Sequence, residues 1–197
     1  MIIIFLVQNL FSKFTDLFVL NVFAFSEVWR FISAIFLHGS LIHLIYNIFA
    51  LALFGSILES LIGGRKFLFI FFITGILANL IAVNFYALSL GASGAIFGVI
   101  GALIAIRPML FVWAFGIPMP IFAAGILWGA GDLLGTYGFL IGNPLDNRGI
   151  IGHLSGMIFG LIFGFLFREK RQRTKRINYG FVLDENYMRS WEDRNLK

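Results

Sequence analysis

Very few side chains in this 197-residue sequence can move a proton or attack a carbonyl: it has three histidines and no cysteine. Ser93 stands in Gly91-Ala92-Ser93-Gly94, and His153 in Gly152-His153-Leu154-Ser155-Gly156. A serine paired with an imidazole supplies a nucleophile and a general base. His43 and Asn47 are spaced i, i+4, which puts them on one helical face. An imidazole and an amide side by side can donate hydrogen bonds to an oxyanion. Each motif alone has a plainer reading. A Gly-x-Ser-Gly in an apolar helix is usually a packing motif, and a lone apolar-segment histidine usually a hydrogen-bonded structural residue. Only their conjunction argues for acyl-transfer chemistry, so the elements that carry them must bring them together.

Those elements are apolar. Hydrophobic residues make up 59% of the chain and charged residues 13%, with 25 Phe and 22 Gly, and the mean hydropathy is +0.92. A soluble domain carries roughly 25% charged residues, so an ordinary soluble enzyme, a disordered chain and a disulfide-stapled module are all excluded. The composition is that of an integral membrane protein. The net charge of +5 does not describe a nucleic-acid surface. Nine Lys/Arg and five Asp/Glu lie from Arg168 onward, leaving +1 for residues 1–167. The expected organisation is a membrane domain over 1–167 and a basic cytoplasmic tail over 168–197.

Apolar runs were weighed against the ~20 residues that cross a bilayer. Leu41–Ile62, Phe67–Leu90, Met109–Leu134 and Gly149–Phe167 are long enough. Ala92–Ile106 gives only ~22 Å of helix. Met1–Phe11 reads as a short first span rather than a signal peptide, having no basic leading region and no clear small-residue cleavage site. Ser12–Phe36, interrupted by Lys13, Asp16, Glu27, Trp29 and Arg30, reads as an interfacial first loop. Six spans place both termini on one side. Arg65, Lys66, Arg107 and the nine basic tail residues, against Lys13, Arg30 and Arg148, make that side cytoplasmic. In this topology the second, fourth and sixth spans run the same way, so His43, Asn47, Ser93 and His153 share one depth below the outer surface.

The same spans carry small residues at helical spacing. Gly152, Gly156, Gly160 and Gly164 recur every fourth residue, and Gly94, Gly98 and Gly101 face them in prospect. Such stripes let helix backbones approach closely in lipid, which would hold Ser93 beside His153. A short fourth helix would also begin below the surface, its free N–H groups favouring negative charge beside Ser93.

With these residues in order, the sequence resembles the rhomboid family of intramembrane serine proteases. The markers are Trp29-Arg30, His38, His43-x-x-x-Asn47, Glu59, Gly91-Ala92-Ser93-Gly94 and Gly152-His153-x-x-Gly156, and the likeness runs from Trp29 to about Gly164. It implies an all-α fold: a six-transmembrane-helix rhomboid-like bundle with an interfacial first loop. It implies Ser93 as nucleophile and His153 as general base, without an acidic third member. The Ser93 backbone N–H with the His43 and Asn47 side chains would form the oxyanion hole. Gly91 and Gly94 would shape the nucleophile turn, Gly152 and Gly156 the helix carrying the base, and Trp29 and Arg30 would stabilise the first loop. Phe97 stands where some members place tyrosine against the catalytic imidazole; it can stack but offers no hydroxyl. The implied substrates are transmembrane segments of other proteins, cleaved within the bilayer.

The remaining polar residues read more simply. His38 supports the loop before the second span, and Glu59 and Arg65 are structural. Asp146 and Asp132 are not required for a triad. The glycine-rich segment 129–148 is a candidate lid, and the basic tail an orientation signal that can meet anionic headgroups. No cofactor, metal or nucleic acid is expected. Two other functions compete: a polar-lined transporter with His38, His43 and His153 as zinc ligands, which leaves Ser93 and its glycines unexplained, and a non-catalytic rhomboid-like binder of membrane clients, against which both Ser93 and His153 are retained.

Overall fold

The computed structural model describes residues 1–114, 116–128, 130, 149–168, 189 and 194. The expected lid segment, Asp132, Asp146 and nearly all of the tail lie outside the described residues. The described chain is mostly helical. A short helix α1 (Ile2–Leu10) and a one-turn α2 (Phe14–Phe18) lead through a 3₁₀ turn to α3 (Arg30–Ser33). Next, α4 (Leu41–Ala50) runs through a π-helical turn, Leu51–Gly55, into α5 (Ser56–Ile62), making one 22-residue rod. Gly63, at φ 83°, breaks it and admits α6 (Gly64–Ala82). Helix α7 (Ser93–Ile106), strands β1 (Phe111–Ala114) and β2 (Ile117–Pro120), helix α8 (121–128) and α9 (Ile150–Phe167) complete the order.

Among the described residues, three helices are long and apolar enough to cross a membrane: Leu41–Ile62, Gly64–Ala82 and Ile150–Phe167. Their outward faces carry large apolar side chains such as Ile42, Ile45, Phe49, Phe69, Ile158 and Phe165, as a lipid-facing surface requires. Helix α7 is different: nine of its 14 residues are buried. It is the central element, and α6 and α9 pack on it.

The packing of α7 on α9 is backbone to backbone. A side chain at Gly156 would strike the Gly94 carbonyl, and one at Gly160 the Gly98 carbonyl. The two glycine stripes therefore mesh as expected, replacing side-chain bulk with close van der Waals contact. Thr74 on α6 packs against Gly98 from the other side, its hydroxyl satisfied by the Ile70 carbonyl at 2.7 Å.

Two expected spans differ. The run Met109–Leu134 is not one helix: Phe111–Ala114 and Ile117–Pro120 pair antiparallel, with Val112 opposite Met119 and Trp113 opposite Pro118, and helix resumes only at residue 121. Hydropathy alone does not separate a buried strand from a buried helix. Pro118, Pro120 and the positive φ of Gly116 disfavour helix there. The run Phe67–Leu90 also ends early, at Ala82. Its last residues pair elsewhere: Leu20 and Ser89 exchange both backbone hydrogen bonds, at 3.0 and 2.9 Å, and the Gly91 N–H donates to the Ala34 carbonyl at 2.9 Å. The first loop is thereby stitched to the segment that precedes Ser93.

Candidate active site

Ser93 is the first residue of α7, and its Oγ lies 2.8 Å from Nε2 of His153, 60 residues away, in the first turn of α9. Both side chains are half-buried. The phenyl ring of Phe97, one turn along α7 from Ser93, stacks on the imidazole with centroids 4.5 Å apart and planes 1° from parallel. Stacking holds the ring plane, and with it the direction of Nε2, without engaging either nitrogen.

His43 and Asn47 occupy the first turns of α4, where Ser40 Oγ accepts the His43 backbone N–H at 3.1 Å and caps the helix. The Asn47 side chain is buried, and its amide donates to the His43 carbonyl at 2.8 Å. One amide hydrogen is thus used for positioning, and a second remains as a donor. The His43 imidazole lies against Gly91, whose φ of +123° is closed to most side chains. A Cβ there would come within 2.7 Å of the imidazole and 3.8 Å of Ser93 Oγ. Gly91 therefore keeps open the space bordered by His43 and Ser93. The backbone N–H of Ser93 belongs to the first turn of α7, where no intrahelical acceptor exists. The structure thus brings together Ser93, His153, Phe97, His43 and Gly91, and sets Asn47 one turn below His43.

The remaining candidates have structural contacts. Gly94, Gly152 and Gly156 lie in the α7–α9 contact. The buried Arg30 guanidinium donates to the Asp16 and Val19 carbonyls, both at 2.8 Å, and pairs with Glu27. Trp29 Nε1 reaches the Leu17 carbonyl at 3.4 Å. Together they fold the first loop on itself, and neither touches Ser93 or His153 in these contacts. His38 is buried before α4, with Nδ1 3.2 Å from the Phe36 carbonyl and its ring edge-on to His43 at 5.1 Å. Burial, reinforced by the neighbouring His43, lowers its pKa from 6.5 to about 4, so it stands neutral beside His43 at ordinary pH. Among the described residues no group of three His, Cys, Asp or Glu is placed to hold a metal.

Two supporting residues escape a reading of motifs. Tyr86 Oη accepts the Ile151 backbone N–H at 3.1 Å. It therefore satisfies an orphan donor at the start of α9, where Gly149 at the N-cap provides no side chain. Gln8 on α1 brackets the His38 backbone: Oε1 accepts its N–H at 3.0 Å, and Nε2 points to its carbonyl at 3.4 Å and to Thr15 Oγ1 at 3.1 Å. The Gln8-Asn9 pair in an otherwise apolar 9-residue helix is the available signal.

Comparison with known proteins places this arrangement in a family. The profile described as Rhomboid domain matches residues 26–170. The chain is 34% identical over 143 residues to Rhomboid protease GluP of Bacillus subtilis, a match covering 71% of this chain and 26% of that protein. It is 29% identical over 153 residues to Rhomboid protease GlpG of Haemophilus influenzae, covering 76% and 74%. It is also 35% identical over 81 residues to Inactive RHOMBOID-like protein 8 of Arabidopsis thaliana, covering 40% and 23%. The chain thus spans about a quarter to a third of several relatives it matches. The matched region includes the meshed helices, the serine–imidazole contact and the three long apolar helices, so the chain is an integral membrane protein that belongs to the rhomboid family.

Proposed function

We propose that the chain is an intramembrane serine endopeptidase that cleaves transmembrane segments of other membrane proteins with a Ser93–His153 dyad. The observation that carries this reading is the 2.8 Å separation of Ser93 Oγ and His153 Nε2 under the stacked Phe97 ring. Nε2 accepts the hydroxyl proton as Oγ bonds to the scissile carbonyl carbon, whose oxygen becomes the oxyanion. The Ser93 N–H, the His43 imidazole and the Asn47 amide donate to that oxygen, a contribution of ~3 kcal/mol for one good donor. The imidazolium then gives its proton to the departing amine nitrogen as the C–N bond breaks. Water, deprotonated by the same nitrogen, attacks the acyl-enzyme and releases the carboxylate with Ser93 restored. The substrate helix must unwind locally, because the carbonyls of an intact helix are shielded and already hydrogen-bonded.

In this reading both termini are cytoplasmic, the site opens toward the opposite side of the cell membrane, residues 1–167 form the catalytic domain and the tail fixes orientation. A relative named inactive shows that membership alone does not decide activity; retention of both Ser93 and His153 favours the protease over a client-binding role. The test is cleavage of a single-span model substrate in reconstituted vesicles. Wild type should cleave, and Ser93→Ala and His153→Ala should each lose about 10⁴-fold or more. Equal cleavage by wild type and Ser93→Ala would remove the dyad.

A further inference from the structure

The hairpin that replaces the expected helix has two unlike faces. Val112, Ala114 and Met119 are buried and join the core cluster that contains Leu58 and Leu103. Phe111 and Trp113 alternate with them and are 68% and 73% exposed, and Met109 just ahead of β1 is 69% exposed. Their cross-strand partners, Pro120 and Pro118, add apolar surface and no N–H. Four residues separate the end of α7 from the hairpin, which lies at the end of that helix opposite Ser93. The neighbouring helix ends are basic. Lys66 Nζ sits 5.8 Å from the Phe167 ring, which brings the start of α6 and the end of α9 to this same level. Arg65, Arg107 and Arg168 are exposed there, and among the described residues Glu59 is the acidic one near the start of α6.

We propose that this hairpin is a lipid-interface anchor: its Phe111–Trp113 face lies in the headgroup–acyl boundary of the leaflet opposite the Ser93 opening. Three features select that occupant. The exposed side chains of this face are large and apolar, like those on the outward faces of the spans. Both strands of a two-stranded ribbon leave backbone groups unpaired, which hydrocarbon does not tolerate but the interface does. Trp at this boundary keeps its ring in the acyl region and its N–H among headgroups, and the basic ring complements anionic headgroups.

The anchor has a consequence for depth. Helix α7 has 14 residues, or ~21 Å at 1.5 Å per residue. Against a hydrocarbon thickness of ~30 Å, an untilted α7 pinned at one boundary leaves Ser93 about 9 Å below the other. The hairpin thus sets how far into the bilayer the serine sits.

Because the chain has no cysteine, a single Phe111→Cys in the full-length protein can carry an environment-sensitive nitrobenzoxadiazole dye. The protein is reconstituted in phosphatidylcholine–phosphatidylglycerol vesicles. The dye should be quenched at least twofold more by a 5-doxyl lipid than by a 12-doxyl lipid, and at least threefold less by aqueous iodide than the free dye. Adding Trp113→Glu, at a side chain that fills no core space, should halve the 5-doxyl quenching or more. Iodide quenching equal to free dye would overturn the anchor in favour of a solvated hairpin. Protection from iodide without doxyl quenching would overturn it in favour of a protein partner. Stronger quenching by the 12-doxyl lipid would overturn the interfacial depth.

Discussion

An imidazole nitrogen within hydrogen-bond reach of a serine accepts its proton productively only when the ring is held in one plane. Phe97 performs that task by stacking at 4.5 Å. Phe97→Ala should lower kcat about 10-fold with KM changed less, since a stacked aromatic pair contributes roughly 0.5–1.5 kcal/mol; steady-state cleavage kinetics check this. Asn47→Ala, which leaves Ser93 and His153 in contact, should lower kcat by ~10²–10³ if its amide meets the oxyanion. His38 predicts a stability effect with a definite sign. Its folded pKa, about 4, lies below the 6.5 of an unperturbed histidine, so between these values the unfolded chain binds the proton and the folded chain does not. Stability should be full above pH 6.5 and decline as pH falls toward 4. A thermal melt series in detergent should show this decline, and His38→Phe should flatten it.

At the scale of elements, the serine and the imidazole meet because two helices touch through glycine. Gly156 is one turn beyond His153 and meets the Gly94 carbonyl, one residue beyond Ser93. Gly156→Ala must push α9 away from α7 at the level of the site. It should cost about 1–3 kcal/mol of stability and lower kcat far more than Ser155→Ala, whose hydroxyl bonds only its own helix. Cleavage rate and melting temperature measured together separate the two effects. Tyr86→Phe should act through the start of α9, removing the acceptor of the Ile151 N–H for ~1 kcal/mol and a several-fold loss in kcat. The glycine contact was legible in the sequence, because a four-residue period of small residues has one structural meaning in an apolar helix. Tyr86 was not: it lies 65 positions from its partner in a connecting segment, and no local pattern announces a cap supplied from elsewhere in the chain. Gln8 escaped for the same reason, being far in sequence from the His38 backbone it brackets.

For the molecule as a whole, composition and the few polar residues identified the membrane class and the candidate site, because burying a polar group in an apolar body is costly enough to be selective. Span counting was less secure. The run Met109–Leu134 is as apolar as a span, yet Pro118, Pro120 and the alternation of buried Val112 and Ala114 with exposed Phe111 and Trp113 make a ribbon. A period of two within a uniformly apolar stretch is invisible to a hydropathy sum. The short α7 is legible from its length, and the burial of nine of its 14 residues lets it be central though too short to span alone. In the first loop Arg30 alone of the charged side chains is buried, spent on the Asp16 and Val19 carbonyls and on Glu27, while Lys13 and Asp16 stay exposed.

In the proposed chemistry everything depends on Ser93, activated by His153, being the nucleophile. The most direct measurement of this is covalent labelling of the full chain in vesicles by a fluorophosphonate probe, read by intact mass and peptide mapping. Wild type should form one adduct, on Ser93, that is lost in Ser93→Ala and slowed at least 10³-fold in His153→Ala. Unchanged labelling rate in His153→Ala, or an adduct mapped to another serine, would contradict it.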